Sequence, residues 1–94
     1  MSSSVENIIL DITNKITESS GGESSIVWNT WHIGLTVYPN QEKRELGKPA
    51  HWKSWKANSS ADAIKIQHYF LDKYPINKNR ESGQYDYFVY IFKK

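Results

Sequence analysis

Three observations on this chain predict a single α+β domain. Two amphipathic helical stripes are separated by runs of alternating apolar residues, a β-branched and aromatic run closes the chain, and 94 residues hold one small core rather than two. The sheet is expected to be small and mainly antiparallel, with three or four strands packed against the two longer helices. One domain over residues 1–94 accommodates all of these elements.

The first helix is expected over about residues 4–18. Ser3 stands three residues ahead of Glu6 in a capping-box pattern, and Val5, Ile8, Ile9, Ile12 and Ile16 form a stripe of period 3.6. Gly21-Gly22 ends it, within a Ser/Gly linker over about 19–25. From Ile26 to Val37 the pattern turns to a strand: Val27, Trp31, Ile33, Leu35 and Val37 share one parity, opposite Trp28, Thr30, His32, Gly34 and Thr36. Asn29-Thr30 marks either a bulge or a turn, which in the second case leaves Ile26-Val27-Trp28 as a strand of its own.

Pro39-Asn40 breaks this run, and a short helix is expected over 41–46 before Gly47-Lys48-Pro49. A further strand spans 51–57. The second long helix, 60–74, places Ala63, Ile66, Phe70 and Tyr74 inward, and Pro75 ends it because Pro supplies no backbone donor. The polar segment 77–83 reads as an exposed loop. The last strand, about 85–92, is rich in aromatic and β-branched residues on both faces, as expected of a central strand.

Composition narrows the function classes. The chain has no cysteine, which excludes disulfides, thiolate metal sites and a Cys nucleophile and suits a reducing compartment. Its first residues lack a basic n-region, and Ile8-Ile9-Leu10 is too short for a signal sequence or a membrane span, so a cytoplasmic protein without a membrane partner is expected. A net charge of +2 means that any polyanion site must come from local clustering. The three histidines, His32, His51 and His68, fall on three different elements without metal-ligand spacing, so no metal site and no cofactor is expected.

The segment His32-Ile33-Gly34-Leu35-Thr36, preceded by Trp31 and followed by Arg44, resembles the second half of the GIY-YIG nuclease family. In that family a strand ending Tyr-Ile-Gly-x-Thr leads to a helix with a phosphate-handling Arg, and a later helix carries a metal-binding Glu. His32 stands in the tyrosine's place, and Arg44 lies two residues further from the glycine than the usual spacing. The Trp52 and Trp55 strand and the helix with Ala63 and Ile66 are also similar. The resemblance covers about residues 31–74, and no Gly-Ile-Tyr precedes it.

That resemblance implies metal-assisted phosphodiester hydrolysis, which needs a carboxylate for a hard cation and a cation to offset charge growing on the phosphate. Here the helix carries Gln67 where the Glu would be, and a neutral amide oxygen holds Mg²⁺ far more weakly. The resemblance therefore implies a catalytically degenerate module, leaning away from enzyme activity.

The strongest binding signal is the interleaving of cations and aromatics in His51-Trp52-Lys53-Ser54-Trp55-Lys56. Alternation sends His51, Lys53 and Trp55 to one face and Trp52, Ser54 and Lys56 to the other. An exposed Trp beside lysines offers stacking plus phosphate contacts, whereas lysines on such a strand also guard against edge aggregation. The candidate ligand-binding residues are Arg44, Lys53, Trp55, Lys56, His32 and Gln67. Three functional classes follow: a small binding module for nucleic acid or a nucleotide-like phosphate ligand, a protein-interaction or inhibitor domain acting on a larger protein, and an active metal-dependent nuclease.

Overall fold

The computed structural model describes residues 4–49, 51–79 and 87–93. The expected cap Ser3, the start of the last strand at Tyr85 and the polar segment beyond Asn79 lie outside these residues. The α+β class holds: the described residues form three α-helices and a mixed four-stranded sheet.

Helix α1 spans Val5–Ser20. Its cap is Ser4, one residue later than the spacing predicts: Ser4 Oγ accepts from the Asn7 backbone N–H at 3.2 Å. Ile8, Ile12 and Ile16 are fully buried along the expected stripe. The helix runs two residues past the predicted end and closes at Gly21, whose left-handed φ of 82° lets Gly22 N–H reach the Thr17 carbonyl.

The expected strand from Ile26 begins only at Trp31. Trp28–Thr30 is a tight turn in which both the N–H and the hydroxyl of Thr30 donate to the Val27 carbonyl, so Ile26-Val27-Trp28 forms no strand. Strand β1 is Trp31–Thr36, helix α2 is Pro39–Glu45, strand β2 is Lys53–Lys56 and helix α3 is Ser60–Lys73. Pro39 occupies the first helical position of α2, where its missing donor is harmless, so the helix starts earlier than predicted. Strand β3, Asn77–Lys78, falls in the segment expected to be a loop. The Asn77 side chain donates to the Asn29 and Trp31 carbonyls, which ties it alongside β1. Strand β4, Phe88–Lys93, completes the sheet.

The strand order is β2-β4-β1-β3. The β1/β4 and β2/β4 pairs are antiparallel and the β1/β3 pair is parallel, so the sheet is mixed, with β4 central as predicted. Register assigns the faces. Ile33, Leu35, Val89 and Ile91 turn toward α1 and α3 and pack with Ile8, Ile12, Ile16, Ala63, Ile66 and Phe70. His32, Gly34, Thr36, Phe88, Tyr90 and Phe92 occupy the second face, joined from β2 by Ser54 and Lys56.

Candidate ligand groove

The second face is built around Tyr90, which is fully buried although its phenol needs a polar partner. Gly34 sits directly opposite it on β1. A Cβ at that position would lie 2.9 Å from Tyr90 Cε2 and nearer still to Cζ and Oη, so only glycine lets the ring lie flat across the strand. Tyr90 Oη accepts from Asn79 Nδ2 at 2.6 Å and donates to Glu42 Oε2 at 3.4 Å. Glu42 is 5% exposed, and through this contact the carboxylate holds α2 down on the sheet.

With α2 seated, a groove of about 420 Å³ opens between its outer side and the end of β4. Tyr38, Pro39, Gln41, Arg44 and Phe88 line it. Tyr38 enters the turn with its N–H donating to Thr36 Oγ1 at 3.1 Å, while its ring stays 68% exposed. Phe88 pairs with Thr36 on one side and Lys56 on the other, so Lys56 shares its face on the neighbouring strand. Arg44 and Lys56 are both exposed, and neither side chain has a hydrogen-bond or ion-pair partner among the described residues. The unpaired Arg44 thus shares a groove with the rings of Tyr38 and Phe88, and the unpaired Lys56 stands beside Phe88 on the next strand.

The other predicted residues lie elsewhere. Lys53 and Trp55 share the face of Ile91 and Val89, toward the helices. Lys53 Nζ sits 5.3 Å from the centre of the Trp55 ring and borders a separate depression with Asp11, Asn14, Lys15 and Glu18 of α1. Trp55 is half-buried against the core. His32 shares the groove's face but stacks on Phe92, with ring centroids 4.8 Å apart. It lies four residues along β1 from Thr36, roughly 13 Å from the Phe88 row.

Gln67 is buried on α3, where its Nε2 donates to the Ile33 carbonyl at 3.4 Å. Of the six candidates, Arg44 lines the groove and Lys56 pairs in register with its Phe88. Tyr38, Phe88, Glu42 and Tyr90 carried no signal in the linear pattern beyond their residue type. Among the described residues no three His, Asp or Glu side chains gather as metal ligands.

A second aromatic surface lies at the far end of α3. Trp28 stacks on Tyr74 with centroids 3.8 Å apart, and Lys73 Nζ donates to Tyr69 Oη at 3.1 Å. That hydrogen bond, followed by the charges of Tyr69 and Tyr74, raises the Lys73 pKa above its ordinary value.

The fold and groove define a small α+β domain with a mixed sheet and a cationic, aromatic surface site. Comparisons with protein families, with curated proteins and with solved structures gave no match.

Proposed function

We propose that this domain binds a phosphate-bearing ligand, nucleic acid foremost, and does not cut it. The reading keeps the GIY-YIG-like resemblance in a catalytically degenerate form. The observation that carries it is the unpaired Arg44 lining one groove with Tyr38 and Phe88, with a second unpaired cation, Lys56, in register with Phe88 on the next strand. Cations without intramolecular partners remain available for phosphates, and the adjacent rings add stacking area.

The setting of Gln67 supports binding over cleavage. Its amide is a buried donor to a main-chain oxygen, a packing role that a carboxylate would fill badly. The strand beside β1 that carries a tyrosine comes from downstream, as β4 with Val89-Tyr90-Ile91, and Tyr90 is spent on seating α2.

Titration of a labelled oligonucleotide across salt concentrations tests the proposal. Arg44→Ala and Lys56→Ala should each flatten the log K against log[salt] slope by about 0.7 to 0.9, the value for one lost phosphate contact. Unchanged affinity and slope in both variants would remove the groove as a polyanion site. The alternative, a protein-interaction or inhibitor domain, draws on the Trp28, Tyr74 and Lys73 surface, because Trp and Tyr dominate interface hot spots and Val27 beside them is 54% exposed.

A further inference from the structure

We infer that the groove takes single-stranded nucleic acid, with one base laid against Tyr38 and the flanking phosphates on Arg44 and Lys56. This rests on the reading of the groove as a polyanion site and adds the form of the strand. The first ground is the presentation of the Tyr38 ring. Among the described residues it is, at 68%, the most exposed of the large apolar side chains, ahead of Leu10 at 58%, and no aromatic partner stacks on it. Its backbone is nevertheless held, by the bond from its N–H to Thr36 Oγ1 and by Pro39 at the first position of α2. A flat ring on a fixed backbone is a stacking platform that costs little ordering on binding.

The second ground is charge. Backbone binding to duplex DNA gains its affinity from many phosphate contacts, about 6–10 in strongly salt-dependent cases. The groove offers Arg44, on a short helix that carries Glu42 and Glu45 beside Lys43, and Lys56 next to Phe88 on β2, in a chain of net charge +2. Electrostatics of that size is too weak to hold a duplex, so stacking has to supply much of the affinity. In a duplex both faces of each base are already occupied by neighbouring bases, and only the edges are open to protein. Only an unpaired strand can give a base face to Tyr38. The groove's size agrees: about 420 Å³ lies in the range of small-ligand sites and suits one nucleotide unit, not the breadth of a duplex. Every base has a π-face, so little sequence preference is expected.

The test uses the full chain and three labelled probes of one mixed sequence: a DNA single strand of about 12 nucleotides, the matching RNA, and the DNA duplex, with a free mononucleotide as competitor. Both single strands, or one of them, should bind at least about tenfold more tightly than the duplex. Tyr38→Ala should weaken single-strand binding roughly 5- to 150-fold with no change in salt slope, and Tyr38→Phe should restore most of it. Tyr38 is exposed, so the Ala variant should keep the parent circular dichroism spectrum and melting temperature.

Duplex binding equal to or tighter than single-strand binding would overturn the inference, as would a neutral Tyr38→Ala. If Arg44→Ala and Lys56→Ala still flatten the slope in that case, the polyanion reading survives alone. A mononucleotide competing as well as the oligomer would replace the strand with a free nucleotide. No binding of any probe would remove both readings.

Discussion

Replacing Gly34 by Ala tests the packing on which the groove depends. The added methyl would meet the Tyr90 ring edge at 2.9 Å from Cε2, and nearer at Cζ and Oη, distances that a side chain cannot tolerate. The ring has no room to yield, because Tyr90 is fully buried and its hydroxyl is held by Asn79 on one side and Glu42 on the other. Overpacking of this kind costs about 1–3 kcal/mol. Displacing the phenol also loses the Asn79 hydrogen bond, worth about 1 kcal/mol net.

The sum is roughly 2–4 kcal/mol, a large part of the stability of so small a domain. For a domain of this length each kcal/mol moves Tm by about 4 °C or more, so a fall of at least about 8 °C is expected. Urea unfolding followed by far-ultraviolet circular dichroism gives the free energy directly, and an unchanged m value would show that the transition is still cooperative. A Tyr90→Leu background should absorb most of the added cost, since the obstructing ring is gone, and the two substitutions should couple strongly in a double-mutant cycle. A Gly34→Ala variant within about 0.5 kcal/mol of the parent would refute the reasoning, because it would mean that Tyr90 does not lie over Gly34.

Two further substitutions separate packing from binding. Gln67→Glu should destabilise the domain by about 1–3 kcal/mol, because it sets an acceptor against the Ile33 carbonyl in a buried site, and it should bring no Mg²⁺-dependent cleavage of DNA or RNA. Burial raises the pKa of the introduced carboxyl, so the penalty should be absent below the ordinary glutamate pKa of about 4.3 and complete above the raised folded value; pH-dependent urea midpoints check the stability, and cleavage in a gel assay would promote the nuclease reading. Trp55→Ala should lower stability by about 1–2 kcal/mol and leave groove binding unchanged, since the ring packs toward the core beneath Lys53; loss of affinity without loss of stability would return Trp55 to the site.

The elements of this fold are legible in the chain because their causes are local. The stripe of Ile8, Ile12 and Ile16 repeats at the helical period, Pro75 stops α3 at Tyr74, and the alternation of Trp31, Ile33 and Leu35 needs only the pleat of a single strand. The same pleat already separates Lys53 and Trp55 from Lys56. What no local pattern determines is which strands become neighbours and in what register.

Phe88 reaches Thr36 and Lys56 only because β4 enters between β1 and β2, and that placement brings Phe88, with Lys56 beside it, to the groove of Arg44. Asn77–Lys78 reads as loop because two residues have no period, and it becomes a strand through bonds to carbonyls that lie far back in the chain. Glu42 resembles any surface charge of a short helix until Tyr90, 48 positions later, meets it above Gly34. Sequence alone settled the class of the fold and its inward faces, through period and turn chemistry. Tertiary structure decided the groove, because its parts are joined by long-range strand pairing and by one buried hydroxyl that seats α2.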